Sequence, residues 1–189
     1  MSHLQNIVKI SALTFGLTLS SIATADAEVF STNITKAEVL AAQQAWGSAI
    51  VNIGNTYDDK GAKEARKLAA DIIDKTYAYD LGPVLFKPTL APLPVNIRTT
   101  EKGALSYFVG GDTAFPSDSG FALKGWQKVE SENAAIHLHG TTALTMGNVM
   151  FTDKTGNITT VDKTWGYMKD DNGDIRIILH HSSLPYSAP

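Results

Sequence analysis

The sequence predicts an α+β fold, with helices in the N-terminal half of the chain and an antiparallel sheet after them. Between residues 35 and 77, apolar residues recur every three or four positions in two stretches, which is the spacing of amphipathic helices. From Gly82 onward this period disappears, and short apolar segments alternate with turn residues, as in consecutive antiparallel strands. Helices that precede a run of strands are typical of the α+β class.

The first 27 residues carry the pattern of a cleaved secretory signal. A short start with Lys9 precedes an uncharged apolar stretch over residues 10–22, and Ala25-Asp26-Ala27 supplies the small residues of a cleavage site. The apolar stretch is shorter than the roughly 20 residues that a membrane span needs, although an uncleaved anchor is the alternative interpretation. We therefore predict cleavage before Glu28 and export to the periplasm, with full secretion as the other destination.

Composition limits what residues 28–189 can be. They are numerous enough for one domain with a sizeable core. The protein has no cysteine, which excludes disulfides, a thiol nucleophile and a cysteine-based zinc site. The net charge is −3 and basic residues are not concentrated anywhere, which argues against nucleic acid as a partner. After cleavage, no further apolar stretch reaches membrane length, so we predict no membrane partner.

Two helices are predicted first. Thr35-Lys36-Ala37-Glu38 fits a capping box, in which the threonine hydroxyl accepts from a first-turn amide and the glutamate reaches back. We expect this first helix to end at Gly54-Asn55 and a turn to follow at Asp58–Gly61. A second amphipathic helix is predicted from Ala65 to Tyr77.

Strands and tight turns are predicted for the remainder of the chain. The expected strands cover residues 84–87, 104–109, 141–152, 158–168 and 174–183, with turns at 153–157 and 170–173. The last three strands form a meander in this prediction. A bent antiparallel sheet wrapped around a helix makes a cone with a pocket, which is the NTF2-like architecture that we predict.

The final strand contains two adjacent histidines followed by two serines. Because side chains alternate between the faces of a strand, His180 and Ser182 share one face with Arg176 and Ile178. Residues 175, 177, 179, 181 and 183 share the other face. The His–Ser pair that faces a pocket is able to handle protons, whereas strand-end residues without a role are the alternative interpretation.

Four segments together carry a resemblance to a known family. They are Val84–Thr89, then Tyr107–Gly111 with Gly120–Leu123 and Trp126, then Lys163–Tyr167, and finally His180–Pro185. In this order they closely resemble the iota class of carbonic anhydrases, small NTF2-like proteins related to the association domain of calcium/calmodulin-dependent kinase II. The resemblance runs from about Ala37 to Tyr186.

The resemblance implies an enzyme, a carbonic anhydrase (carbonate dehydratase, a hydro-lyase) that interconverts CO2 and bicarbonate. By motif, it places Thr89, Tyr107 and Ser182 at the bound substrate and makes Tyr107, His180 and Ser182 catalytic. It also implies a homodimer. Several members of the class are described as working without metal and others have been linked to zinc or manganese. No cofactor is therefore expected, and these two metals remain open.

His180 is the expected proton acceptor, since imidazole titrates near neutral pH. In a different interpretation, His137-x-His139 places two imidazoles on one strand face and, with a third ligand, forms a zinc site. We favour a solvent-facing position for both histidines. A Ser182–His180 hydrolase triad has no obvious aspartate partner. A non-catalytic NTF2-like module that binds a small anion or mediates association is the alternative function.

Overall fold

The computed structural model describes residues 31–188, so the signal predicted over residues 1–27 lies outside the described part. The helices and strands, in chain order, are α1 (Lys36–Lys60), α2 (Ala62–Thr76), β1 (Leu85–Lys87), α3 (Glu101–Val109), β2 (Lys128–His139), β3 (Thr142–Thr152), β4 (Ile158–Lys169) and β5 (Ile175–Ser183), with a 3-10 turn at Phe121–Leu123. Helices therefore precede a run of strands, which confirms the predicted α+β class. No helix in this part of the chain is long and apolar enough to cross a membrane.

Helix α1 begins as predicted and ends later than predicted. Thr35 forms the capping box with Glu38, whose backbone amide donates to the threonine hydroxyl over 3.3 Å. Gly54 does not end the helix. A Cβ atom there would lie 2.8 Å from the Ala122 carbonyl oxygen, so this glycine permits close packing. The helix ends before Gly61, whose φ of 85° suits glycine.

The strand predicted over residues 104–109 is wrong, because this segment belongs to helix α3. The Thr100 hydroxyl caps the helix by accepting from the Gly103 amide over 3.2 Å. The helix ends at Gly110, which has a φ of 67°. Ala104, Tyr107 and Phe108 are buried at helical spacing. A six-residue apolar run is too short for its period to distinguish helix from strand.

The five strands form one sheet in the order β1-β5-β4-β3-β2. Strands β2 to β5 form the antiparallel meander, and β2 supplies one more strand than the three predicted. Strand β1 pairs parallel with β5, so the sheet is mixed instead of fully antiparallel. The chain between these two strands includes α3 and strands β2 to β4, and this long connection makes parallel pairing possible.

A bulge in β5 changes the predicted alternation of its side chains. Gly166 pairs with Leu179 while Tyr167 pairs with Ile177, which leaves Ile178 without a partner on β4. Ile177 is therefore buried in the core, although simple alternation predicted it on the face of His181. Beyond the bulge the prediction is confirmed, because His180 and Ser182 are both buried and His181 is exposed.

Helix α1 crosses the inner face of the sheet and contacts both β2 and β5. Trp46 of this helix packs edge-on against Trp165, with ring centroids 5.0 Å apart, and against His180 at 5.4 Å. All three tryptophans are buried. The aromatic core thus meets the polar residues of β4 and β5 at one place on the inner face.

Candidate active site

A small cavity lies where α1, α3, β4 and β5 meet. The volume open to the centre of a water-sized molecule is about 10 Å³, which is roughly what one water molecule needs. The polar residues that line it are Thr89, Tyr107, Lys163, His180 and Ser182, and the aromatic ones are Trp46, Phe108, Phe121 and Phe151. A small number of polar groups that converge within an apolar wall is typical of a small-molecule site.

A wider groove between α1 and the β4–β5 turn has a different character. It offers about 370 Å³ and is lined by Ala41, Ala42, Ile175 and other largely apolar residues. Its Glu38 carboxylate is paired with Lys169 at 2.7 Å. The groove wall is largely apolar and does not bring together several buried polar groups, so the smaller cavity is the better candidate for chemistry.

All four residues predicted to form the pocket line this one cavity. Thr89 follows β1 and Pro88, Tyr107 lies on α3, and His180 and Ser182 lie on β5 beyond the bulge. These segments are far apart in the sequence, and β1–β5 pairing places Phe86 directly beside His180. The mixed sheet therefore brings the first and last predicted motifs together.

His180 is fully enclosed, and both of its ring nitrogens have protein partners. The Tyr77 hydroxyl oxygen lies 2.8 Å from Nδ1, and Lys163 Nζ lies 2.5 Å from Nε2. The Trp46 indole N–H donates to the same tyrosine oxygen over 2.9 Å. Within residues 31–188 no carboxylate contacts the ring, so this part of the chain forms no hydrolase triad around His180.

Burial decides the protonation of His180. Desolvation lowers the pKa of this histidine well below its ordinary value of 6.5, and the nearby Lys163 lowers it further. The imidazole is therefore neutral at neutral pH. It differs in this respect from the freely titrating histidine that the sequence suggested.

Lys163 is the cavity residue whose importance the sequence analysis missed. Its amine donates to the Ser182 hydroxyl over 2.6 Å and lies 4.7 Å and 4.6 Å from the ring centroids of Trp46 and Trp165. The sequence did contain one indication of its position, because Val161, Lys163 and Trp165 are spaced two residues apart and therefore share one face of β4. A lysine between apolar residues at that spacing points into the core.

Two effects act on the charge of Lys163 in opposite directions. The two indole faces favour the ammonium form by about 2 kcal/mol or less each. Burial without a carboxylate partner costs several kcal/mol, and this desolvation lowers the pKa of Lys163 well below 10.5. The larger effect is desolvation, so the uncharged amine is the form that the surroundings favour.

The two tyrosine hydroxyls of the site stay protonated. Burial raises the pKa of Tyr107, although interactions with Thr89 and the Leu90 backbone partly oppose this effect. Tyr77 was predicted only as an apolar helix residue, and burial raises its pKa as well. Both phenols therefore keep their protons across the physiological pH range.

A buried ion pair holds the helix that carries Tyr107. Arg98 donates to both Asp118 carboxylate oxygens, over 2.8 Å and 2.9 Å, and neither side chain is exposed. The hydroxyl of Ser106, the residue before Tyr107, donates to Asp118 over 2.7 Å. This network ties the loops around α3 together and fixes one wall of the cavity.

The histidines of the zinc interpretation lie away from the cavity. His137 and His139 pair across β2 and β3 with Leu144 and Thr142, and both are exposed, as the solvent-facing interpretation predicted. Within residues 31–188, no group of three or more His, Asp or Glu side chains is arranged to hold a metal ion. The best chelating spacing in the sequence therefore has no third ligand in the described part.

Comparison with known proteins adds an independent line of support. Residues 37–184 match the sequence model of the family described as metal-independent carbonic anhydrase. The chain is 63% identical over 153 residues to the metal-independent carbonic anhydrase of Nostoc sp. (strain PCC 7120 / SAG 25.82 / UTEX 2576), which covers 81% of this chain and 75% of that protein.

Solved structures give the same result. The crystal structure of the iota-carbonic anhydrase from a cyanobacterium, complexed with bicarbonate, has a TM-score of 0.84 at 59% identity and covers 87% of this chain and 100% of that one. A calcium/calmodulin-dependent protein kinase II association domain from Xanthomonas campestris has a TM-score of 0.50 at 22% identity, covers 87% of this chain and 97% of that one, and shows likeness of fold alone. With a family match over most of its length, the chain belongs to the metal-independent carbonic anhydrases.

Proposed function

We propose that this carbonic anhydrase interconverts CO2 and bicarbonate in the cavity lined by Thr89, Tyr107, His180 and Ser182. The observation that carries the proposal is the meeting of these four residues, from three separate segments, around one water-sized cavity. The similar iota-carbonic anhydrase was solved with bicarbonate, which supports the same ligand here. The reaction is CO2 + H2O ⇌ HCO3⁻ + H⁺.

The hydroxyls supply the interactions that a developing anion needs. As the water oxygen bonds to carbon, negative charge moves onto the CO2 oxygens, and Tyr107 and Thr89 donate to them. Ser182 holds the attacking water beside CO2, which lowers the entropic part of the barrier. Hydrogen bonds to a charged acceptor contribute about 1.5–3 kcal/mol each, and the aromatic wall excludes water that would weaken them.

The cavity must widen for the product, because bicarbonate has four heavy atoms and the present space suits about one water molecule. The wall that contains Pro88 and Thr89 lies outside the helices and the strands of the sheet. We propose that this segment moves to admit CO2 and release bicarbonate.

The donor set of the cavity does not suit a metal ion. Zinc is held by cysteine, histidine or carboxylate ligands, and of these the cavity offers His180 alone. Both nitrogens of that ring already contact protein groups. The proposed reaction therefore takes place on hydroxyl, imidazole and amine groups.

Stopped-flow measurement of CO2 hydration by chelator-treated protein tests the proposal. We expect a rate well above the buffer rate, and a decrease on the order of tenfold for Thr89→Val, which keeps the shape and removes the hydroxyl. Thr99→Val, outside the cavity, is the matched control and should behave as wild type. Bicarbonate binding without any hydration by the wild type would identify an anion-binding module instead.

We further propose that the protein is a homodimer formed through the outer face of the sheet. Leu85, Leu179, Gly166 and Leu144 are aligned in one row across four strands of that face, and Leu85 and Leu144 are more than half exposed. An exposed apolar row of this kind favours self-association, most often as a two-fold pair. Light scattering should give twice the monomer mass and Leu144→Lys the monomer mass, whereas a wild-type monomer at micromolar concentration would contradict the dimer.

Finally, we propose that the predicted signal is removed and the domain of residues 28–189 acts in the periplasm. The charged start, short apolar stretch and Ala25-Asp26-Ala27 motif support this proposal. Protein recovered from the periplasmic fraction should begin at Glu28 in N-terminal sequencing. A mature form that keeps Met1 would rule out cleavage.

A further inference from the structure

We propose that Lys163, in its uncharged form, is the base that receives the proton from the reacting water. This inference rests on the proposed hydration reaction in the cavity and adds the group that the reaction requires. Hydroxyls orient water but are weak bases, so a proton acceptor must also be within reach of the cavity.

The contacts of His180 favour Lys163 over the histidine for this role. Both imidazole nitrogens are engaged, Nδ1 by Tyr77 and Nε2 by Lys163, so neither is free to face a water molecule. Lys163 and His180 both line the cavity, and the amine contacts the histidine at Nε2. Among the described residues that line the cavity, Lys163 therefore offers the only basic nitrogen with a position left for water.

The geometry of the amine suits both states of the proton transfer. One N–H donates to Ser182 Oγ over 2.6 Å, and a second donates to Nε2 when His180 carries its proton on Nδ1, toward Tyr77. The third position of the nitrogen is then available to the cavity. It holds the lone pair before the reaction and an N–H bond after it, without loss of the other two contacts.

The surroundings of Lys163 permit both charge states. The titratable groups nearest to it are His180 on β5 and Tyr107 on α3, which line the same cavity, and Tyr77 after α2 contacts the other ring nitrogen of His180. Burial keeps all three neutral. Lys87 on β1 donates to the Ser182 carbonyl, and His181 lies on the outer face. In the described part of the chain no carboxylate pairs with Lys163, so nothing fixes it as a permanent ammonium.

The proposed step conserves both protons and charge. The water oxygen bonds to the CO2 carbon while one water proton moves to Nζ, so that amine, water and CO2 become ammonium and bicarbonate. The two opposite charges form together in the cavity, and the indole faces of Trp46 and Trp165 stabilise the cation. After bicarbonate leaves, the ammonium gives its proton to a buffer base in solvent, which restores the amine.

Chemical rescue tests this role. We expect Lys163→Ala to lower CO2 hydration on the order of 100-fold, and methylamine to restore part of the rate in proportion to its unprotonated fraction. Lys163→Arg keeps a permanent cation without a usable lone pair and should be as inactive as Lys163→Ala. Lys169→Ala, on the same strand but outside the cavity, is the control. Circular dichroism should show that all variants are folded.

The possible outcomes separate this inference from the function itself. A wild-type rate in Lys163→Arg would show that a fixed cation suffices, and no response of Lys163→Ala to methylamine would show that a missing base is not the defect. Either result, with an active wild type, overturns the role of Lys163 and leaves the hydration function intact. An inactive wild type would overturn both.

Discussion

The two faces of strands β4 and β5 carry similar polar residue types in very different surroundings. On the inner face, Lys163, His180 and Ser182 are almost fully buried and bonded to one another. On the outer face, the neighbouring residues Thr164 and His181 are partly or fully exposed and pair with each other across the strands. Each outer residue differs by a single sequence position from its inner counterpart.

This contrast shows that burial, more than residue type, prepares the groups for chemistry. Desolvation lowers the pKa of His180 well below 6.5, and the same cause lowers that of the less enclosed His181 to a smaller extent. Only the inner histidine has partners at both nitrogens. The strand alternation thus separates a buried polar face from an exposed one within the same four or five residues.

The largest difference in activity is expected between variants of the two adjacent histidines of β5. His180→Ala should lower CO2 hydration by about 100-fold or more, because it removes the partner of both Tyr77 and Lys163. His181→Ala, on the outer face, should stay close to the wild-type rate. Stopped-flow kinetics of the folded variants measures both. Equal losses in the two variants would break the contrast between the faces.

The next largest loss of hydration rate is expected from removal of the cavity hydroxyls. Loss of one hydrogen bond to a charged species costs about 1.5–3 kcal/mol, so Ser182→Ala and Tyr107→Phe should each lower the hydration rate by at least about tenfold. Ser183→Ala is the control on the opposite side of the strand. Wild-type kinetics in both Ser182→Ala and Tyr107→Phe, with native circular dichroism, would remove these hydroxyls from the mechanism.

The lowered pKa of Lys163 has a consequence for stability. Because its pKa in the folded protein lies below the ordinary 10.5, the unfolded chain binds more protons, and stability rises with pH between the folded value and 10.5. Relative to Lys163→Met, the wild type should gain up to about 1.4 kcal/mol per pH unit within this window. Urea unfolding at pH 7, 8 and 9 measures the difference. A constant difference would show that the lysine stays charged.

The smallest effect is expected at the exposed histidines of β2. The double change His137→Ala/His139→Ala should keep the hydration rate within about twofold, because both side chains lie on the outer face. Metal content by mass spectrometry, before and after chelation, accompanies the kinetics. Stoichiometric zinc that disappears with these histidines, together with activity, would restore the zinc interpretation.

Much of the fold follows from local patterns in the sequence, and the failures have local causes. The capping box at Thr35 and the hairpin turn at Asp170–Gly173 were predicted because their signals lie within a few residues. The length of α1 and the helical structure of the α3 segment were not predicted. Gly54 packs against Ala122, a contact that no local rule reveals, and the α3 segment is too short to show its period.

The cavity residues that the sequence predicted are those identified by strand alternation or by the family resemblance. Both place His180 and Ser182 on one face, and the resemblance adds Thr89 and Tyr107. Lys163 and Tyr77 were missed because their importance comes from the partners that the fold brings to them. The β5 bulge, which sets the inner face, depends on pairing with β4 and is not encoded in β5 alone.

The central claim is that the inner face of the sheet hydrates CO2 without a metal ion. Exchange of ¹⁸O from doubly labelled CO2 into water, followed by mass spectrometry on protein whose metal content has been measured after chelation, tests this most directly. We predict rapid exchange by metal-free wild type and near-background exchange by metal-free His180→Ala. Background exchange by the metal-free wild type, restored in full by added zinc or manganese, would contradict the claim.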